Sequence, residues 1–129
     1  MSIDLMVLDH VTVESDDRAV GIRNVTNTWP VFATHFPRKP VVPGVVILGC
    51  LERLGQELLL VRTGREGWQL DGLRRARFRT FVQPGDQMEL VVEVTHAEDT
   101  RVTMKATVSV DGKPVTTVAA LTLTLGASG

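Results

Sequence analysis

The chain has 129 residues, 43% of them hydrophobic and 22% charged, a composition typical of one globular domain that buries roughly two thirds of its unfolded surface. Its 14 basic and 15 acidic residues give a net charge of −1 and no basic excess for nucleic acid or a lipid surface. No apolar run approaches the roughly 20 residues of a membrane span, and the acidic start MSIDLMVLDH lacks the apolar centre of a signal peptide. We therefore expect a cytoplasmic protein, with one domain over residues 1–129 and no nucleic-acid or membrane partner.

The first two predicted elements are β-strands at residues 5–14 (LMVLDHVTVE) and 18–26 (RAVGIRNVT). Both are rich in Val, Ile and Thr, and the turn-like SDD between them predicts a hairpin. The loop HFPRKPVVPG follows, and its prolines and glycine exclude regular structure up to about Pro43.

A helix is predicted from Gly44 to Thr63, because apolar residues recur there at helical spacing and Gly64 is a typical helix terminator. The apolar face consists of Ile47, Leu51, Leu54, Leu58 and Val61. The other side carries Gly49, Glu52, Arg53, Gln56 and Glu57.

Four more strands are predicted, at residues 68–80, 87–96, 101–110 and 114–125. The third alternates apolar residues such as Val102 and Met104 with polar ones such as Thr103, as a sheet with one buried face requires. Asp111-Gly112 predicts a tight hairpin turn after it. Two strands, one helix and four strands predict an α+β fold, an antiparallel sheet that covers an apolar helix. Among known folds, a curved antiparallel sheet wrapped around one long central helix is the hot-dog architecture.

The segment NVTNTWPVFATHFPRKPVVPGVVILG resembles the active-site segment of the 3-hydroxyacyl-acyl carrier protein dehydratases (FabZ/FabA-like), roughly NVT, an aromatic turn, GHFPxxPxxPGVL and a helix with a catalytic acid. VLDHV upstream and LDGLRRARFRTFVQPGDQMEL downstream also resemble family motifs, and their common order makes the resemblance specific. The resemblance implies the hot-dog fold and a dimer whose sheets join. It also implies an acyl substrate on the phosphopantetheine of an acyl carrier protein. Because the sequence has no metal-ligand cluster, glycine-rich phosphate loop or nucleotide-binding motif, we expect no metal and no protein-bound cofactor.

Dehydration of a 3-hydroxyacyl thioester requires a base for the α-proton, a group that polarises the carbonyl, and an acid for the departing hydroxyl. By the resemblance, His35 is the base and the backbone N–H of Gly44, at the helix start, meets the carbonyl oxygen. The resemblance places the substrate-binding positions at Phe36, Val45, Gly49 and Arg53.

The family's catalytic acid falls at Gly49, which has no side chain. One alternative acid is Glu52, about 60° around the helix and about 4.5 Å further along it, although Glu52 is also consistent with an exposed or ion-paired carboxylate beside Arg53. In the family each site takes its histidine from one subunit and its acid from the other. A heterodimer with a related subunit that keeps its acid is therefore a further interpretation.

The first functional hypothesis is a dehydratase subunit, a hydro-lyase of fatty-acid or polyketide and polyene biosynthesis. A non-catalytic partner of an active hot-dog dehydratase is the alternative, followed by a hot-dog thioesterase or acyl-binding protein. A basic rim that docks the acidic carrier is predicted at Arg38, Lys39, Arg74, Arg75, Arg77 and Arg79. The simpler interpretation of Arg75, Arg77 and Arg79 is the solvated face of a half-buried strand.

Overall fold

A computed structural model of the chain describes residues 6–26 and 41–126. The elements within these residues are β1 (His10–Val13), β2 (Arg18–Asn24), α1 (Gly44–Thr63), β3 (Trp68–Phe78), β4 (Gln87–Ala97), β5 (Arg101–Val110) and β6 (Lys113–Leu125). The strands form one antiparallel sheet in the order β1-β2-β4-β5-β6-β3. Most of the predicted proline-rich loop, residues 35–40, lies outside the described residues.

The helix connects strands at opposite sides of the sheet. β2 is second from one edge, and β3 forms the other edge, so the chain crosses the whole sheet between them. α1 packs against β1, β2, β3 and β4 and buries its apolar side chains in the core. The α+β arrangement expected from the order of the elements, an antiparallel sheet on one long helix, is therefore confirmed.

The buried face of α1 follows two diagonal rows whose members are four residues apart. The rows are Val46, Cys50, Leu54 and Leu58, and then Ile47, Leu51, Gly55 and Leu59. Because a turn takes 3.6 residues, each step of four drifts about 40° around the helix. The prediction that Val61 belongs to this face is wrong: three residues after Leu58 it leaves the rows, and it is 61% exposed.

The turns and strands of the second half of the chain follow the sequence pattern. Gly64 ends α1 in the left-handed conformation, with φ of 71°, and its N–H bonds to the carbonyl of Leu60. Asp111 and Gly112 both have positive φ, 52° and 78°, as a type I′ hairpin turn requires. In β5, the predicted alternation holds, since Val102 and Met104 are buried in the core.

The first strand is shorter than predicted. The β1–β2 ladder runs from His10 opposite Ile22 to Val13 opposite Ala19. One residue earlier, the Asp9 N–H donates to the Ile22 carbonyl at 2.8 Å, and a carboxylate oxygen of Asp9 accepts a hydrogen bond from the Asn24 N–H at 2.6 Å. Asp9 therefore joins β2 through its side chain as well as its backbone, just before the regular pairing begins at His10.

Candidate functional site

The predicted site residues fall into two groups. His35, Phe36, Arg38 and Lys39 belong to residues 27–40, outside the part of the chain that the structure describes. The others lie on two elements, namely Gly44, Val45, Gly49, Glu52 and Arg53 along α1, and Arg74 and Arg75 on β3. The geometry of the candidate site is therefore built from α1 and its neighbours.

The start of α1 presents backbone N–H groups that no side chain of the described residues caps. Pro43 precedes the helix in an extended conformation, and its carbonyl accepts the N–H groups of Val46 and Ile47 at 3.0 and 3.3 Å. Within residues 6–26 and 41–126, no acceptor bonds to the N–H of Gly44 or Val45, and the first turn has no acidic residue. These N–H groups, at the positive end of the helix dipole, suit an oxygen that gains negative charge.

An apolar recess of about 170 Å³ adjoins this helix start. Its walls come from the start of the helix and the residues before it, from Phe78 at the end of β3, and from the segment after β3, including Phe81. The Phe78 ring lies directly on Gly44, since a Cβ there would stand 2.9 Å from Cζ of the ring. Glycine at position 44 therefore allows an aromatic ring to cover the helix start.

The acid position suggested by the family pattern is filled by another side chain. A Cβ at Gly49 would overlap Cγ of Met6 and stand 2.9 Å from its Cε. Glycine inside a helix costs about 1 kcal/mol relative to alanine. At Gly49 the compensation is close packing of a side chain from the segment before β1.

Glu52 is tied to the sheet. One of its carboxylate oxygens accepts a hydrogen bond from the Leu70 N–H of β3 at 2.6 Å, and Gln56, one turn on, donates to the Trp68 carbonyl at 2.7 Å. These two bonds hold β3 just before the irregularity in its pairing with β6 between Leu70 and Gly72. Eight residues separate Glu52 from Gly44, about 12 Å along the helix axis, so one chain does not bring the two together. Arg53 follows Glu52 and is half-buried.

The arginines of the predicted rim lie on the exposed part of the sheet. Arg75, Arg77 and Arg79 share a shallow cleft with Lys105 of β5. Lys105 alternates with Met104 and Ala106, which are buried under the helix, so the cleft lies on the face of the sheet opposite α1. Arg74 lines a neighbouring depression together with Arg75. Cationic side chains therefore cluster on this face.

The described residues show neither a metal-binding group nor a membrane-crossing helix. Among residues 6–26 and 41–126, no three His, Cys, Asp or Glu side chains are grouped so that they could hold a metal ion. In the same part of the chain, no helix has the length and apolar character needed to cross a bilayer.

Comparison with known proteins identifies the family. The model described as the FabA-like domain matches residues 2–119 of the chain. The chain belongs to the FabA-like family. It is 39% identical over 115 residues to the 3-hydroxyacyl-[acyl-carrier-protein] dehydratase FabZ of Lactococcus lactis subsp. lactis (strain IL1403), covering 88% of this chain and 76% of that protein. It is 38% identical over 124 residues to FabZ of Bacillus subtilis (strain 168), covering 94% and 87%.

Solved structures show that this FabA-like chain has the hot-dog fold. The dehydratase heterocomplex ApeI:P from Xenorhabdus doucetiae matches with a TM-score of 0.71 at 20% identity, covering 92% of this chain and 96% of that chain. A hypothetical thioesterase with coenzyme A from Streptococcus pneumoniae TIGR4 matches with a TM-score of 0.68 at 13% identity, covering 90% and 88%. Both the predicted fold and the predicted family are thus confirmed.

Two contacts of this FabA-like chain were missing from the sequence predictions, namely Met6 on Gly49 and Phe78 on Gly44. A glycine in the first turns of a helix indicates that something approaches closely. It does not indicate which residue does so, because Met6 is 43 positions from Gly49 and Phe78 is 34 positions from Gly44.

Proposed function

We propose that this FabA-like chain is a subunit of a 3-hydroxyacyl-acyl carrier protein dehydratase, acting in the cytoplasm on chains bound to the carrier's phosphopantetheine. His35 removes the α-proton, and the N–H of Gly44 stabilises the charge on the thioester oxygen. The observation that carries the proposal is the uncapped start of α1 beside an apolar recess. The 38–39% identity to FabZ proteins supports the same reaction.

The acid of the site comes, in this proposal, from a second hot-dog subunit that keeps a glutamate or aspartate at the position matching Gly49. Two contacts support an outside source for the acid. Met6 fills the space beside Gly49, and Glu52 accepts the Leu70 N–H at 2.6 Å, which makes its carboxylate a structural acceptor. A heteromeric dehydratase with one working site follows from this arrangement.

Exposed apolar side chains near the helix start support a partner at that end. Val45 is 68% exposed, Phe81 65% and Phe78 49%, and β3, which ends at Phe78, is an edge strand of the described sheet. Apolar surface next to an unpaired strand edge is typical of a subunit interface. We place the second subunit over this surface, next to the helix start.

The carrier protein is proposed to approach the basic side of the chain. Arg75, Arg77 and Arg79 share a cleft with Lys105, and an acidic carrier is attracted to such a cluster before the acyl chain enters. Arg38 and Lys39 are assigned to the same rim on the resemblance to the family alone.

The deciding experiment reconstitutes the chain with an acid-retaining hot-dog dehydratase subunit, ideally one encoded beside it. Native mass measurement reports the complex, and conversion of a 3-hydroxyacyl-carrier substrate to the 2-enoyl product reports activity. Replacement of His35 by alanine is expected to lower turnover about 10²- to 10⁴-fold, the usual contribution of a general base. His96→Ala, an exposed histidine at the end of β4, is the matched control and is expected to leave turnover unchanged.

Other outcomes identify the alternatives. If His35→Ala leaves the turnover of the pair intact, the chain is a non-catalytic partner. If the products are free acids instead of 2-enoyl thioesters, the chain is a thioesterase. If the chain alone is fully active and loses that activity on Glu52→Gln, the acid is Glu52 and the second subunit is unnecessary.

A further inference from the structure

The contact between Met6 and Gly49 occupies the place where the family pattern puts an acid. A Cβ added to Gly49 would lie 2.9 Å from Cε and 3.4 Å from Sδ of Met6, and it would overlap Cγ. Real Cβ atoms essentially never approach other heavy atoms below 3.0 Å. Because Cγ is close to the Met6 backbone, rotation of the end of the side chain does not remove the overlap. Any residue larger than glycine at position 49 therefore displaces Met6.

Met6 is part of the packed structure and not an exposed side chain that happens to lie nearby. It is partly buried and packs against the hydrophobic core, together with Leu8 of the same segment. Gly49 itself is half-buried on α1. The segment before β1 and the second turn of α1 therefore form one packed unit at this point.

We propose that Met6 seals the acid position of this chain, so that a heterodimer of the chain with an acid-retaining subunit has one working site and one site closed from within. The inference rests on the proposed function, because that function assigns the acid position to Gly49. To that function it adds one residue, Met6, and one consequence for catalysis. Because Met6 occupies the space beside position 49, a carboxylate introduced there does not restore a site while Met6 remains.

The packing is tested on the full-length chain by a double-mutant cycle of Gly49→Ala and Met6→Ala, read as thermal unfolding midpoints. In the natural background, Gly49→Ala is expected to lower the midpoint, because the new methyl group collides with Met6. With Met6→Ala present, the same change is expected to raise the midpoint by about 4 °C, the ordinary gain of alanine over glycine in a helix.

Gly55→Ala is the matched control, since it is also a glycine within α1. Its added Cβ would lie 2.6 Å from Cδ1 of Leu123 in the core, away from Met6. Gly55→Ala is therefore expected to lower the midpoint equally with Met6 or Ala at position 6. If Gly49→Ala also shifts the midpoint equally in the two backgrounds, Met6 does not seal the position and the proposal is overturned.

The catalytic consequence is tested on the chain alone, with a 3-hydroxyacyl-carrier substrate. Gly49→Glu is expected to leave the chain inactive, and Gly49→Glu combined with Met6→Ala is expected to dehydrate the substrate at least tenfold faster. Failure of the double variant while the unaltered heteromer is active would overturn the seal and leave the proposed function standing. Failure of both the double variant and the heteromer would count against the proposed function itself. It would also contradict the proposal that Met6 closes a catalytic site.

Discussion

The first turn of α1 and its next two turns each contain a glycine covered by a distant side chain, but their polar groups have different partners. At the first turn, Gly44 is covered by a half-exposed ring, Phe78, and its N–H bonds to none of the described residues. In the following turns, Gly49 is covered by Met6, and the Glu52 carboxylate bonds to the Leu70 N–H. Among the described residues, the N–H of Gly44 therefore has no partner, whereas the carboxylate of Glu52 is held by the fold.

Under the proposed function, this difference lets a dehydratase fold keep half of a site. The backbone donor at a helix start belongs to the main chain and remains with any residue except proline. An acid depends on one side chain, and once that side chain is lost, neighbouring residues are free to fill its volume. The resulting packing stabilises the chain without restoring the acid.

Among changes on α1, the largest effect is expected from removing the donor at the helix start. Gly44→Pro deletes the backbone N–H, and proline is tolerated at the first position of a helix. We expect turnover in the reconstituted pair to fall about 10²- to 10³-fold, as for other lost oxyanion donors. Because a Cβ at this position meets Phe78, the variant is made in a Phe78→Ala background.

The matched control for this variant is Gly44→Ala in the same Phe78→Ala background, which adds a Cβ but keeps the N–H. Steady-state rates and thermal unfolding are measured for both. Equal turnover of the proline and alanine variants would mean that the helix start does no catalytic work, and the contrast between the two regions would disappear.

A smaller effect is expected on assembly. Val45→Asp places a charge in the exposed apolar surface at the helix start and should weaken subunit association at least about tenfold, since burying an unpaired charge is costly. Val61→Lys is the control, because Val61 is also an exposed valine of α1, at its other end. Each charge complements the helix dipole at its own end, so neither should destabilise the subunit. Sedimentation at several concentrations measures association; equal weakening by both changes would contradict the proposed interface.

The smallest effect is expected from Glu52→Gln. The amide oxygen still accepts the Leu70 N–H, so turnover of the pair should stay within about threefold and stability should change little. Glu52→Ala removes the acceptor, and the free energy of unfolding should fall by about 1–3 kcal/mol. Turnover assays and denaturant unfolding measure both quantities. A loss of turnover of a hundredfold or more in Glu52→Gln, with stability intact, would make Glu52 the acid.

Local patterns in the sequence were enough to predict the type and the order of the helix and strands. The helix begins at Gly44 and ends at Thr63 as its apolar spacing and Gly64 predict, and Asp111-Gly112 turns the chain between β5 and β6. These features depend on neighbours within a few positions. The exposure of Val61 was mispredicted, because the buried rows of side chains drift around the helix along its length. Which rows are buried at the end of the helix depends on how the helix lies across the strands.

The sequence by itself determined the order of the elements, the family motifs and the absence of a side chain at Gly49. Only the tertiary structure decided what replaced that side chain and what Glu52 does. Met6 and Leu70 reach the helix from opposite sides in the sequence, 43 positions before Gly49 and 18 after Glu52. Such contacts arise when the sheet brings distant segments onto one helix, and no local pattern encodes them.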